Sequence, residues 1–351
     1  LHQSITLVDA IKKIVLLLSK HEDQYADNEL LMLEFDIARG KLFLFNEHLA
    51  IVAYMSKENY VYWAEADKRS VVQQVSIKAQ PIEISEIMEK EVINHYESVF
   101  FVSATLAINN NFSYFAYRFG VQFYNELICD HVFNYKEQVV LYLDRNRSDP
   151  NSEFFYKSSS DTVKKIIRLL QGKCLMLFTS YKMLEEVKQH IEPELEYEIY
   201  SQSDHSAMKA FNDYKKDESG VLMGTHSFWQ GIDLPGDLLR GVIIMKLPFA
   251  VPDSPPLQAK IERITASGRN AFSHFQIPSA VIKLRQGFGR LIRRKDDRGI
   301  VAILDPRIIN KSYGKIFYNS LPKCRTVYSI NDLTEIFSGK ASKTSASEDD
   351  L

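Results

Sequence analysis

Cysteine is scarce in this sequence, and it contains no long hydrophobic run. The three cysteines, Cys129, Cys174 and Cys324, lie far apart and form no Cys-x-x-Cys pair, which argues against a disulfide framework or a zinc site built within this chain. The nine histidines are scattered, so we expect no metal site. The apolar run near the N-terminus is broken by Lys12 and Lys13 and is too short for a membrane span or a signal peptide. We therefore expect a protein of the reducing cytoplasm that binds no membrane.

Neither sign of charge dominates the chain. The 43 lysines and arginines and the 45 aspartates and glutamates give a formal net charge of −2. Any contact with nucleic acid must therefore come from a local groove, because the protein has no overall basic field. The length of 351 residues predicts two or three domains. The chain begins at Leu1 and not at methionine, from which we expect a piece of a longer or processed protein.

The sequence also lacks a phosphate-binding loop of the type Gly-x-x-x-x-Gly-Lys-Ser/Thr. Each Gly-Lys pair is followed by Leu, Cys, Ile or Ala instead of a hydroxyl residue. Such a loop supplies backbone amides for a β-phosphate and a hydroxyl for magnesium. An Asp-Glu-Ala-His motif is absent as well. By itself the chain is therefore not expected to hold a nucleotide together with its metal ion.

Short apolar runs of strand length indicate a parallel sheet covered by helices on both faces. These runs lie at 99–102, 174–178, 221–223, 242–247 and 300–304. Helical spacing of apolar residues occurs between them, at 181–191, 206–215, 257–266 and 278–293. Upstream, the pattern predicts helices at 6–18, 29–50 and 84–96 and strands at 60–66 and 71–79. The sequence therefore predicts an α/β fold with a mainly helical N-terminal segment.

Small hydroxyl residues follow three of the predicted strands, and Asp-Pro-Arg at 305–307 follows a fourth. Ser103 and Thr105 follow the first, Thr179 and Ser180 the second, and Thr225 the third. Open α/β sheets bind ligands beyond the carboxyl ends of their strands, so these residues are candidates for holding a phosphate-rich substrate. The alternative, that they only form turns, stays open for each residue taken singly.

The stretch from Gln286 to Arg293 is the most unusual in the chain. Gly287 and Gly289 interrupt a helical pattern, and each costs about 1 kcal/mol relative to alanine in a helix. If the helix continues through this stretch, Gln286, Gly289, Arg290 and Arg293 form one stripe that suits a phosphate. A solvated basic surface is the alternative, because further basic residues follow.

Four stretches of the sequence carry a resemblance to a known family. The pattern Gln286-x-x-Gly289-Arg290-x-x-Arg293 matches the sixth motif of superfamily 2 helicases, and the run 298–307 resembles the DinG branch of their XPD-like group. The run 224–236 resembles the fifth motif, with Gln230 where the family usually has glutamate, and the run 103–106 resembles the third motif.

The resemblance implies a RecA-like parallel sheet and the second motor lobe of an ATP-dependent 5′–3′ DNA helicase of DinG type. Arg290 and Arg293 would act as arginine fingers on ATP. The other implied ATP-binding residues are Gln286, Gly289, Gly231 and Asp233. The residues implied to lie on the single-stranded DNA path, or to couple it to ATP, are Ser103, Thr105, Thr179, Ser180, Thr225 and Trp229. For Trp229 a place in the core remains the alternative to stacking on a base.

The resemblance also implies a domain division and partners. Residues 1–75 would belong to an Arch-like insertion, 76–338 to the helicase C-terminal lobe, with the end of the first lobe around 76–106, and 339–351 to a disordered tail. ATP and Mg²⁺ would be held mainly by a first lobe that this chain lacks. That lobe and single-stranded DNA are the expected partners. An iron–sulfur cluster, where the family has one, would lie outside this chain.

Two other functions stay open at this point. In the first, the chain is the ATP-binding, regulatory region of a DinG-type protein whose main activity is an N-terminal 3′–5′ exonuclease. In the second, it is a non-catalytic nucleic-acid-binding module.

The missing phosphate-binding loop generates the first prediction. An arginine finger accelerates hydrolysis by about 10³ to 10⁵, but only on a nucleotide that other groups hold with its metal. We expect the purified chain to bind ATP weakly and to release no phosphate from it above a blank. Phosphate release that depends on Mg²⁺ and stops on chelation would contradict this.

Overall fold

The computed structural model describes residues 2–21, 28–66, 75–145, 148–229, 234 and 236–337. The chain forms two compact units. The first consists of Leu1–Glu97, Arg118–Gly120 and Val251–Arg269, and the second of Ser98–Tyr117, Val121–Ala250 and Asn270–Leu351. These units follow the chain's own contacts, and the three-part division expected from the family stays a prediction.

The first unit is built from helices and one β-hairpin. Its elements are α1 (His2–Lys20), α2 (Glu29–Tyr54), β1 (Tyr60–Ala66), β2 (Val75–Pro81), α3 (Ser85–Glu91), a 3₁₀ turn (Ile93–His95) and α10 (Pro255–Ala266). Asn28 caps α2 by accepting a hydrogen bond from the amide of Leu31 at 3.2 Å. The two strands pair antiparallel along their whole length. Lys260 of α10 forms a buried ion pair with Glu83 at 2.8 Å, which fastens α10 within this unit.

The second unit is organised on a seven-stranded sheet. Its strands are β3 (Val139–Leu143), β4 (Cys174–Leu177), β5 (Ile199–Ser201), β6 (Val221–Gly224), β7 (Gly241–Ile244), β8 (Gly299–Ile303) and β9 (Arg325–Val327). The order in space is β5-β6-β4-β7-β8-β3-β9. Every neighbouring pair is parallel. The predicted RecA-like parallel sheet is therefore confirmed.

Helices cover both faces of this sheet. The helices of the second unit are α5 (Tyr135–Gln138), α6 (Glu153–Leu170), α7 (Tyr181–Ile191), α8 (Ala207–Tyr214), α9 (His226–Trp229), α11 (Ile277–Phe288), α12 (Arg307–Asn310), α13 (Gly314–Asn319) and α14 (Ile330–Phe337). Helix α4 spans Ser113–Phe119, and a π-helical turn, Phe272–Gln276, precedes α11.

Successive residues of the central strands enter two different cores. Leu175 and Leu177 of β4 pack into one core with Leu284 of α11. Cys174 and Met176 of the same strand pack into the other core, to which α6 and α7 contribute. This alternation explains why the strand sequences are apolar at every position.

Most predicted elements of the second unit lie where the sequence places them. The runs at 174–178, 221–223, 242–247 and 300–304 contain β4, β6, β7 and β8. Strands β3, β5 and β9 were missed. Strands β5 and β9 have only three residues each, whereas β3 is an apolar run of five that the same pattern is able to find.

The predicted strand at 99–102 is wrong. These residues form no strand with any other described residue, and Phe100 and Val102 are 88% and 93% exposed. Apolar and β-branched residues favour an extended backbone, but a strand needs a neighbour that supplies hydrogen bonds. The described part of this chain does not supply one.

The upstream predictions are largely correct. Helices α1 and α2 contain the predicted ranges 6–18 and 29–50, and β1 matches 60–66. Strand β2 covers 75–81, whereas 71–74 of the predicted strand lie outside the described residues. The predicted helix 84–96 is divided into α3 and a 3₁₀ turn. The predicted tail at 339–351 also lies outside the described residues.

Candidate functional site

The carboxyl edge of the sheet brings Thr179, Ser180 and Thr225 together. Strands β4 and β6 are neighbours, with Leu177 opposite Gly224, so the residues that follow both strands lie side by side. Thr225 is buried, and its hydroxyl and amide both donate to Oε1 of Gln202, at 3.1 and 2.8 Å. Ser180 is exposed and caps α7 by accepting from the amide of Met183 at 3.2 Å.

Ser103 and Thr105 form a local turn that is attached to α11. The Ser103 hydroxyl accepts from the Thr105 amide at 3.3 Å. The guanidinium of Arg285 donates to the carbonyl of Ala104 at 2.7 Å and also to that of Ala107. Burial lowers the pKa of Arg285, and nearby Tyr135 opposes this effect. Sequence reasoning missed Arg285, although it directly precedes the Gln286 motif.

Helix α11 ends at Phe288, earlier than predicted, so the expected stripe on one helix face is wrong. Gly289 is the C-cap of the helix. Arg290 lies in the turn that follows, and the amide of Arg290 donates to the carbonyl of Gly287 at 3.2 Å. Arg293 lies further along the loop, outside the helix. Helical spacing in the sequence continued past the true end of the helix because Leu291 and Ile292 are buried from a loop.

This arginine loop, residues 289–298, is held by two polar side chains. The carboxylate of Asp297 accepts from the amides of Arg293 and Arg294, both at 2.8 Å. The amide group of Gln138 donates to the carbonyls of Arg294 at 3.0 Å and Asp297 at 2.9 Å. Gln138 directly precedes β3, and the loop directly precedes β8, so the loop lies at the amino edge of the sheet.

The structure therefore separates the predicted site residues into two groups. Gly289, Arg290 and Arg293 belong to the arginine loop, which Gln286 precedes at the end of α11, whereas Thr179, Ser180 and Thr225 follow the carboxyl ends of β4 and β6. Burial lowers the pKa of both Arg290 and Arg293, while Asp297 opposes that effect at Arg293. A partly desolvated guanidinium gains from an anion placed beside it.

Packing explains why position 287 carries glycine. A Cβ at Gly287 would lie 2.9 Å from the ring of Trp229 and 3.0 Å from Leu177. Trp229 is 0% exposed, and its indole nitrogen donates to the carbonyl of Phe178 at 3.0 Å. The predicted role of Trp229 as a base-stacking platform is therefore wrong, because the ring is buried and no base can reach it.

Three further residues of the fifth motif cannot be placed. Gln230, Gly231 and Asp233 lie outside the described residues. Among the residues that are described, no group of three or more His, Cys, Asp or Glu side chains is arranged to hold a metal ion. No described helix is long and apolar enough to cross a membrane.

Comparison with known proteins decides the family. Residues 163–324 match the family described as the helicase C-terminal domain. The chain is 34% identical to the ATP-dependent DNA helicase YoaA of Haemophilus influenzae over 281 residues, covering 80% of this chain and 43% of that protein. It is 31% identical to YoaA of Escherichia coli, covering 82% and 44%. The chain belongs to the DinG-type, XPD-like superfamily 2 helicases.

Other DinG-type proteins carry a different name. The Bacillus subtilis relative, named 3′-5′ exonuclease DinG, is 31% identical over 290 residues, covering 80% of this chain and 31% of that protein. The chain thus spans less than half the length of these three curated relatives. The range 163–324 that matches the helicase C-terminal domain includes Thr179, Thr225 and the arginine loop. Ser103 and Thr105 lie outside this range.

Solved structures agree on the fold. An XPD helicase structure aligns with a TM-score of 0.57 at 18% identity and covers 88% of this chain and 56% of that one. A structure of apo XPD aligns with the same TM-score, and the alignment covers 88% of this chain and 61% of that one. The XPD-like fold of this DinG-type chain is therefore shown.

The contact of Gly287 with Trp229 generates a stability prediction. Gly287→Ala places a methyl group against the indole, and overpacking of this kind costs about 1 to 3 kcal/mol. We expect the substitution to lower the free energy of unfolding, measured by urea denaturation, despite the higher helix propensity of alanine.

The matched control is Gly40→Ala in α2. A Cβ at Gly40 meets no atom within 4 Å, so this change should raise the free energy of unfolding by up to about 1 kcal/mol. Equal stability of the two variants would contradict the packing explanation for Gly287.

Proposed function

We propose that this chain is the second motor lobe of an ATP-dependent DNA helicase or translocase that moves 5′ to 3′. The observation that carries the proposal is the arginine loop. It presents two half-buried guanidiniums, those of Arg290 and Arg293, from a backbone that Asp297 and Gln138 hold in place. Positive groups that are positioned before the reaction stabilise developing phosphoryl charge without reorganising.

In this proposal the two arginines act on an ATP that other residues bind. A guanidinium keeps its charge and forks to two oxygens, so it follows the charge that spreads over the transferred phosphoryl group. Gln286 and Gly289, at the end of α11, would lie beside the nucleotide. Gly231 and Asp233 would contact its sugar and phosphates. ATP and Mg²⁺ would be held mainly by a first RecA-like lobe.

Single-stranded DNA would lie at the carboxyl edge of the sheet. Thr179, Ser180 and Thr225 offer small polar groups there, beyond adjacent strand ends where open α/β sheets bind ligands. Ser103 and Thr105 would couple the two lobes, and Arg285 supports this role because it joins their turn to the helix that leads into Arg290.

Exposed apolar side chains support a first lobe as the partner. In the second unit, five such side chains from the segment 98–132 are more than three-quarters exposed, namely Phe100, Val102, Phe123, Leu127 and Val132. Clusters of exposed apolar residues mark surfaces that another protein surface covers. We propose that 98–102 pairs with strands of the first lobe, that 76–106 ends that lobe, and that 1–75 belongs to an Arch-like insertion.

A second candidate function follows from the relatives. Several DinG-type relatives are named 3′-5′ exonuclease, and in this alternative the lobe regulates a nuclease domain elsewhere in the protein. In that case the lobe would bind ATP and DNA with little turnover.

The arginine loop supplies the test. In the intact protein that contains this chain, Arg290→Ala should reduce ATP turnover in the presence of single-stranded DNA by about 10³ or more. Steady-state phosphate release and thermal unfolding would be measured together, so that loss of activity is separated from loss of fold.

Arg298→Ala is the matched control, because Arg298 is an exposed arginine of the same loop. It should leave turnover within about twofold, since exposed charges away from the reacting groups contribute little. A folded Arg290→Ala variant with normal turnover would refute the finger role. A wild-type protein that barely hydrolyses ATP would favour the regulatory function.

A further inference from the structure

Three lysines are buried in the described part of the chain, and one of them differs from the others. Lys164 contacts Glu194 at 2.7 Å, and Lys260 contacts Glu83 at 2.8 Å. Lys246 is only 9% exposed, yet among the described side chains no carboxylate lies within ion-pair distance of it. Burying an ammonium is costly unless it is paired.

The surroundings of Lys246 are mostly neutral. Its ammonium donates to the Tyr156 hydroxyl at 3.0 Å and to Oδ1 of Asn151 at 3.4 Å, and it lies 5.0 Å from the centre of the Tyr156 ring. Burial lowers the pKa of Lys246, and the nearby charge of Arg307 adds to this effect. The group therefore has a free-energy reason to accept an anion.

Arg307 lies beside Lys246, beyond the next strand. Ile244 of β7 is opposite Ile303 of β8, so Lys246 and Asp305 lie at the same level past their strands. The buried carboxylate of Asp305 accepts hydrogen bonds from Nε and Nη2 of Arg307, at 2.9 and 2.6 Å. It also accepts one from the amide of Leu247, at 2.8 Å. This pairing fixes the guanidinium in position and leaves Nη1 out of the bidentate contact.

Two other acidic groups near Lys246 lie beyond ion-pair distance of it. Asp149 accepts the amide of Asn151 at 2.9 Å, and Oε1 of Glu186 pairs with Lys182 at 3.6 Å, while the buried Oε2 of Glu186 has no hydrogen-bond partner among the described residues. Both favour the charged form of Lys246 only through longer-range attraction, which burial outweighs. The cluster therefore contains a lysine whose charge is not balanced by direct contact.

The position of this cluster indicates its ligand. Leu177 of β4 is opposite Ile244 of β7, so Thr179 and Lys246 lie at the same level on adjacent strand ends. Thr225, Thr179, Lys246 and Arg307 thus follow four consecutive strands of the sheet, β6, β4, β7 and β8. Polar groups therefore lie beyond four adjacent strands at the edge where open α/β sheets bind ligands.

We propose that Lys246 and Arg307 form a binding site for one phosphate of a single-stranded nucleic acid backbone, at the carboxyl ends of β7 and β8. The proposal rests on the proposed function and extends it, since the sequence motifs assign no role to Lys246. Lysine binds a phosphate as a point charge and arginine through its forked donors. The site reads no base, so its contribution is independent of nucleic-acid sequence.

The test uses the salt dependence of binding. For single strands the slope of log K against log salt concentration changes by about 0.7 for each phosphate contact. Binding of the intact protein to a fluorescent oligothymidylate would be measured by anisotropy from about 50 to 200 mM salt. We expect Lys246→Gln to make the slope shallower by about 0.7, and Lys246→Arg to retain it.

Two further variants control for folding. Lys164→Gln removes an equally buried lysine that has carboxylate partners, and it should leave the slope unchanged. Lys246→Met places an apolar chain against Tyr156 and should give the same shallower slope as Lys246→Gln, so a folding defect in one variant does not remove the test.

The outcomes separate this site from the proposed function. Folded Lys246 variants with the wild-type slope would overturn the phosphate site while DNA binding by the lobe stands. A wild-type protein that does not bind the oligonucleotide would overturn both. A shallower slope in Lys246→Gln and Lys246→Met, but not in Lys164→Gln, would establish the site.

Discussion

Burial of the parallel sheet on both faces is the constraint on which the rest of the second unit depends. Alternate residues of the central strands β4, β6, β7 and β8 enter two separate cores, so these four strands carry no charged or hydroxyl side chain on either face. Polar chemistry is therefore confined to the two edges, where strands begin and end. The arginine loop occupies the amino edge, and the hydroxyl residues with Lys246 and Arg307 occupy the carboxyl edge.

Trp229 connects these two edges through the core. Its indole nitrogen bonds to Phe178, which directly precedes Thr179, and its ring packs on Gly287, whose carbonyl accepts from the amide of Arg290. Arg285 makes a second connection, from the same helix to the turn at Ser103 and Thr105. Helix α11 thus contacts Trp229 and Leu177 at Gly287, and the turn that contains Ser103 and Thr105 through Arg285. Close packing of this kind transmits strain between the two edges of the sheet.

The residues of the motif at 286–293 have different structural roles. Position 287 carries glycine because Trp229 and Leu177 leave no room for a Cβ, and Gly289 ends α11. Arg290 and Arg293 are left at the surface of a loop that Asp297 orders. A motif that reads as one stripe is in fact a packing residue, a helix terminus and two half-buried charges.

The sequence by itself determined the fold class, the family and the place of the central strands. Those features depend on local patterns, namely continuous apolar runs, helical spacing and the spacing of motif residues. The sequence also predicted correctly that Thr179, Ser180 and Thr225 follow strand ends, whereas Ser103 and Thr105 follow no described strand.

Only the tertiary structure decided which predicted residues come together and which are buried. It placed Trp229 in the core, ended α11 before Arg290, left 99–102 without a paired strand, and showed that Lys246 differs from Lys164 and Lys260. Each of these depends on contacts between residues far apart in the chain. A local pattern states how apolar a residue is, but the partner that covers a ring, pairs a strand or neutralises an ammonium is supplied by the fold.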